Sequence, residues 1–179
     1  MLHTLLVGPS GKGRSFWIES LLATLPSSLP IWGYRTPKEA ADETGHAPIR
    51  LYPVGRSAEA CEPILSGWCK DRQATAIPEA FDRCAGLIEH AGLGGLLLLD
   101  ELGPMESRSP RFCQAVLDAL DGDIPILAWV RDLDTPFLSA VRSHSRARCF
   151  YPPRDPDPFL LDTLSAFLAA QLNTDSQSL

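Results

Sequence analysis

The sequence predicts an α/β protein with a mostly parallel central sheet flanked by helices. Three observations predict it. Apolar runs alternate with amphipathic stretches along the chain. The run LLLLD at 96–100 is apolar until its last residue, as in a strand covered on both faces. Two amphipathic stretches open on Ser109-Pro110 and Thr135-Pro136, which read as an N-cap followed by a first-turn proline. The chain has 179 residues, 45% of them hydrophobic and 21% charged, which is enough for one well-filled core.

The elements follow in order. LHTLLV (2–7) reads as a first, buried strand, and residues 14–25 as a helix with Ile18, Leu21, Leu22 and Leu25 at helical spacing. Pro26 and Pro30 bracket a loop before a second strand, IWGYR (31–35). Residues 36–77 carry the weakest pattern. IRLYPV (49–54) alternates like a short strand, and Pro53 places it in a hairpin or at an edge. Beyond Pro78, the stripe Phe81, Cys84, Ala85, Ile88 and Ala91 predicts a helix ended by Gly92, Gly94 and Gly95. After the 96–100 strand, Phe112, Val116, Leu117 and Leu120 form the inner face of the Ser109-capped helix. IPILAWV (124–130) is a strand, a short helix follows Thr135, and ARCFY (147–151) is the last strand. Asp157-Pro158 opens a final helix with Leu160, Leu161, Leu164, Phe167 and Leu168 inward. The expectation is one domain, 1–171, with a polar tail at 172–179.

Charge and composition remove several function classes. The formal net charge of −6 argues against a broad electrostatic grip on nucleic acid or anionic lipid. The basic scatter RSHSRAR (142–148) reads as a solvated helix end. No stretch reaches the ~18 apolar residues of a membrane span. The N-terminus lacks a basic region and a cleavage site, so a cytoplasmic protein is expected. The five cysteines form no C-x-x-C pair, which fits free thiols in a reducing compartment, and the four histidines show no metal-ligand spacing.

The chemistry centres on LVGPSGKGRSF (6–16). A phosphate-binding loop of the form G-x-x-x-x-G-K-[ST] would use Gly8, Gly13 and Ser15, but Arg14 stands at the lysine position and Lys12 lies two residues early. The loop follows a strand and opens a helix. Glycines there let the backbone approach phosphates, and successive amides with the helix N-terminus favour an anion. Gly8, Pro9, Ser10, Gly11, Lys12, Gly13, Arg14, Ser15 and Phe16 are the candidate nucleotide contacts; an ordinary glycine-rich turn is the plainer reading. Asp100 and Glu101 end a buried strand. Ligands of open α/β sheets sit at such carboxyl ends. Asp100, with the Ser15 hydroxyl, is a candidate Mg²⁺ partner, and Glu101 a candidate for polarising an attacking water. Arg35, Arg131 and Arg154 close or follow strands and are candidates to face the phosphates, or simply surface residues. Among the aromatics, Trp17 and Trp68 are the candidates for stacking on a base; the others read as core.

DELGPME (100–106), GYRT (33–36) and YPPRDP (151–156), in this order with the loop, resemble the THEP-type, or cancer-related, nucleoside-triphosphatase family. The resemblance implies a three-layer, RecA-like P-loop fold and slow Mg²⁺-dependent hydrolysis of ATP, GTP and other nucleoside triphosphates. It also implies Gly8, Gly11, Gly13 and Ser15 as phosphate and metal contacts, Asp100 as metal partner and Glu101 as catalytic base. Three departures touch phosphate handling: Arg14 for lysine, Glu39-Ala40-Ala41 without the family's arginine, and Pro153 for asparagine. Arginine keeps the charge but carries a wider, planar fork, so binding is expected to outlast hydrolysis. Lys12 is the substitute cation in the same loop. The sequence leaves open a nucleoside-triphosphatase using Arg14, Arg131, Arg154 and Glu101, a nucleotide-binding switch of little turnover, and a small-molecule kinase. Residues 36–77 are the candidate surface for a protein partner, or the lid such a kinase would need.

Overall fold

The computed structural model describes residues 2–55, 58 and 61–175. In chain order the elements are β1 (His3–Gly8), α1 (Lys12–Ala23), β2 (Ile31–Arg35), β3 (Ala47–Pro53), β4 (Ile64–Lys70), β5 (Gln73–Ala76), α2 (Pro78–Glu89), β6 (Leu96–Leu102), a 3-10 turn (Glu106–Arg108), α3 (Pro110–Asp121), β7 (Ile126–Arg131), α4 (Pro136–Arg142), β8 (Ala147–Phe150) and α5 (Pro158–Asp175). The strands form an eight-stranded sheet in the order β5-β4-β3-β2-β6-β7-β1-β8. The five from β2 to β8 are parallel, with Leu5 opposite Ala128 and Cys149, and Leu98 opposite Leu127 and Gly33. The other three, β3 to β5, extend the sheet antiparallel.

Both faces of the parallel part are covered, which makes three layers. Leu5, Val7, Leu97, Leu99, Ala128 and Val130 pack against Phe81, Cys84, Phe112, Val116 and Leu138 of α2, α3 and α4. The alternate residues Leu6, Leu96, Leu98, Leu127 and Trp129 pack against Trp17, Ile18 and Leu21 of α1 and Leu164 and Leu168 of α5. This is why β1 is buried at every position and β6 at all but Glu101, rather than on alternate residues. The caps act as expected: the Ser109 side chain accepts the Phe112 amide, Thr135 accepts the Leu138 amide, and Asp157 accepts the Leu160 amide.

Some boundaries differ from the sequence expectation. α1 starts at Lys12, and Leu25 packs from beyond its end. β3 is not an edge strand; it lies between β2 and β4. Pro53 fits there because it is the strand's last residue and the next amide, Val54, donates to the Gly33 carbonyl in its place. Residues 64–76 supply β4 and β5, strands that the sequence pattern leaves unassigned. α5 runs to Asp175, into the segment expected as tail, and residues 176–179 lie outside the described residues. No helix among the described residues is long and apolar enough to cross a membrane.

Candidate active site

β1 ends at Gly8 and α1 begins at Lys12, so three residues carry the chain from sheet to helix. Two of the loop's glycines are required, Gly8 by its surroundings and Gly11 by its backbone. A Cβ on Gly8 would lie 2.9 Å from the Trp129 ring, which is itself buried in the core. Gly11 has φ +134°, a conformation that side chains rarely adopt. Gly13 packs under the segment that follows β8, where a Cβ would meet the Arg154 carbonyl at 3.4 Å. Between loop and segment is a cavity of about 280 Å³, lined by Pro9, Ser10, Gly11 and Gly13 on the loop and Pro152, Pro153 and Arg154 on the segment, together with Arg14 and Trp129. The side chain of Lys12 lies outside the described residues, so the substitution of Lys12 for the missing lysine has no structural counterpart to report.

The acidic dyad meets this loop from β6. The register slips there: Asp100 is opposite Trp129, Leu102 is opposite Val130, and Glu101 is the extra residue. Neighbours on a strand normally point to opposite faces. The extra residue re-aims the chain, and both carboxylates reach the same partner. That partner is Arg14, only 6% exposed. Its Nη1 donates to Glu101 Oε2 at 2.7 Å, its Nε is 3.3 Å from Asp100 Oδ1, and its Nη2 donates to the Thr36 carbonyl at 2.7 Å. Two further arginines complete the cluster. Arg35 Nε is 3.4 Å from Asp100 Oδ2, with Nη2 on Glu19, and Arg131 Nη1 is 3.4 Å from Glu101 Oε1. Each of the four carboxylate oxygens therefore faces an arginine. Burial pushes the Asp100 carboxyl above its ordinary range, and Arg14 and Arg35 offset part of that push.

The other candidates near the loop are placed as follows. Gly8 to Gly11 form the turn, and Lys12 and Gly13 open α1. Ser15 and Phe16 are half-buried on the first turns of α1, with Phe16 edge-on to Trp17 at 5.6 Å between ring centroids. Arg154 is exposed over the cavity and makes no ion pair among the described residues. Trp17 is a correction: it is fully buried, its Nε1 donates to the Pro153 carbonyl at 2.9 Å, and it has no face to offer a base. Trp68 is 38% exposed but lines a separate cavity of about 290 Å³ with His46 and Lys70, on the β4–β5 hairpin. Among the described residues, none of 36–77 lines the cavity over the loop. Sequence reasoning missed Thr36, whose carbonyl holds Arg14, Tyr34, whose hydroxyl donates to the Glu101 carbonyl at 3.2 Å, and the buried Glu106. All three lie inside GYRT and DELGPME, which was the available signal.

The donor set suits a hard divalent cation. Asp100 Oδ1 is buried without a hydrogen-bond partner, 3.3 Å from Arg14 Nε, and Ser15 follows Arg14 on the first turn of α1. Mg²⁺ takes one or two such oxygens and completes its shell with phosphates and water.

A family model described as NTPase matches residues 3–151 of the chain. Over a 57-residue stretch the chain is 40% identical to nucleoside-triphosphatase THEP1 of Thermofilum pendens (strain DSM 2475 / Hrk 5), covering 27% of this chain and 31% of that protein. The chain thus matches about a third of the length of that curated relative. It superposes on the crystal structure of THEP1 from the hyperthermophile Aquifex aeolicus with a TM-score of 0.69 at 19% identity, over 92% of this chain and 98% of that one. With the solution structure of a human cancer-related nucleoside triphosphatase the TM-score is 0.71 at 19% identity, over 95% and 98%. At that identity the likeness is one of fold, and the fold is the three-layer P-loop type expected from the sequence.

Proposed function

The chain belongs to the NTPase family, and from that premise we propose that it binds a nucleoside triphosphate, ATP or GTP, with Mg²⁺ and hydrolyses it slowly to diphosphate and phosphate. The observation that carries this reading is the junction at Arg14. One side chain on the phosphate-type loop touches both carboxylates at the end of β6, so loop and dyad belong to one site. In the proposal, the amides from Gly8 to Ser15 hold the phosphate chain. Ser15 and Asp100 hold Mg²⁺, which when bound offsets the charge on the phosphate oxygens. Glu101 accepts a proton from the attacking water. Arg154, exposed over the cavity, supplies charge toward the phosphates, and Arg131 steadies Glu101.

Arg14 favours slow turnover. Its guanidinium is engaged by Asp100, Glu101 and Thr36, and must leave Asp100 before a metal takes that oxygen. The same observation favours a second reading, a nucleotide-binding switch with little turnover. Calorimetric titration of ATP and GTP with and without Mg²⁺, run beside phosphate release, separates the two. Binding with release is the expected result. Binding without release supports the switch, and no binding removes both.

A further inference from the structure

Asp100 is held by two arginines, one on each oxygen. Arg14 Nε lies 3.3 Å from Oδ1, and Arg35 Nε lies 3.4 Å from Oδ2. Among the described residues no other hydrogen bond or ion pair holds this side chain. The metal reading removes one of the two, because Arg14 has to leave Oδ1 before a cation takes that oxygen. Arg35 then holds Asp100 alone. The end torsion of an aspartate is soft, so a carboxylate without a fixed partner swivels. Arg35 is itself fixed at both ends. Its strand β2 lies parallel to β6 with Arg35 opposite Asp100, which sets the reach between them. Its Nη2 is 3.1 Å from Glu19 Oε1 on α1. Glu19 stands four residues after Ser15 on that helix, about one turn further along the same face. One guanidinium therefore spans from the helix that carries Ser15 to the strand that carries Asp100.

We propose that Arg35 is a positioning residue for the cation site: it claims Asp100 Oδ2, leaves Oδ1 as the oxygen for the metal, and through Glu19 ties the Asp100 carboxylate to the helix that brings Ser15. The proposal rests on Asp100 and Ser15 being the metal-holding pair. The burial of the parts fits this division. Asp100 is buried, Arg35 is part-exposed and Glu19 is exposed, so the strut runs from the interior to the surface. Charge alone acts with the other sign. A positive group beside a metal ligand repels the incoming cation, so a purely electrostatic Arg35 weakens metal binding and its loss strengthens it. A positioning Arg35 strengthens metal binding, and its effect depends on the fork. Arginine presents Nε and Nη2 to two carboxylates at once, whereas lysine carries one compact ammonium.

The first test needs no metal. In the nucleotide-free chain, Glu19→Ala removes the outer anchor at an exposed site, and Glu19→Gln removes its charge but keeps an acceptor. NMR reads the Arg35 Nε–H and the Asp100 carboxyl carbon. Both resonances should shift in Glu19→Ala and stay near their wild-type positions in Glu19→Gln. An Asp100 carboxyl that stays still in Glu19→Ala, or the same shift in both variants, overturns the proposal. The second test is a Mn²⁺ titration, read by electron paramagnetic resonance, of the full chain bound to the β,γ-imido analogue of ATP. Arg35→Lys keeps the charge and loses the fork. It should hold Mn²⁺ about fivefold more weakly, the upper worth of a part-exposed ion pair, with metal-free binding of the analogue unchanged in calorimetry. Equal or tighter Mn²⁺ binding, or an equal loss of the metal-free analogue, overturns the proposal. A wild type that takes the analogue but no Mn²⁺, with both resonances moving in Glu19→Ala alone, supports the hold of Arg35 on Asp100 and removes the metal reading instead.

Discussion

Arg14 ties the phosphate-type loop to both carboxylates at the end of β6 in one side chain. A lysine in its place would offer a single compact charge on a slender stem and could not span Asp100, Glu101 and the Thr36 carbonyl together. Arg14→Lys should therefore free the dyad and speed phosphate release by about tenfold or more, the worth of one strong charge-assisted contact. Steady-state phosphate release checks this; an unchanged or slower rate contradicts the account of Arg14 as a brake. Glu101→Gln should lower release by roughly 10²-fold or more while ATP still binds in calorimetry, since it removes the proposed proton acceptor, along with the charge that faces Arg14 and Arg131, and leaves the loop amides in place. The loop and the dyad were both legible in the sequence because each is a contiguous string with a fixed spacing. The destination of Arg14 was not. Its bond to Glu101 joins residues 87 apart in sequence, and only the register slip at Glu101 brings the second carboxylate within reach.

At the scale of elements, legibility followed the strength of the local signal. Helices α2, α3 and α4 announced themselves through a first-turn proline, and α3 and α4 through capping side chains as well. β4 and β5 gave no such notice. Their turn, Asp71-Arg72, takes positive φ at both residues, 49° and 66°, as a two-residue hairpin turn requires. The glycine or asparagine that normally marks such a turn is missing, and β5 is too exposed to show a buried pattern. The strain makes a prediction. Arg72→Gly should stabilise the hairpin by about 1 kcal/mol, the cost that a side chain carries in that conformation. Amide hydrogen exchange at Lys70, Gln73 and Ala74 reads it directly, and unchanged protection contradicts it. Of the two places expected for β3, a hairpin or an edge, the hairpin holds, since β3 pairs antiparallel with β4, and the edge does not. Pro53 cannot donate to a ladder, but at the last position of a strand no donor is needed.

Across the whole molecule, two buried groups bend stability with pH in opposite senses. His3 is fully buried, with Nε2 on the Leu120 carbonyl, and burial lowers its pKa from 6.5 to about 4. The folded chain keeps this ring neutral while the unfolded chain protonates it. Its contribution is present above pH 6.5 and is lost as pH falls toward about 4. Glu106 does the reverse: the fold holds its proton up to about 7 and the unfolded chain releases it near 4.5, so that contribution is present below 4.5 and lost as pH rises through 7. The difference in urea stability between wild type and His3→Gln isolates the first. It should shrink by about 2 kcal/mol from pH 7 to pH 5; a constant difference contradicts it. The contact between Trp129 and Gly8 has a consequence of another kind. An indole pressed against the turn proposed to hold the phosphates is a built-in optical reporter, because any electrostatic change in that turn falls on its excited state. Emission excited near 295 nm should therefore register occupancy in the native chain, with no dye attached and no nucleotide analogue needed.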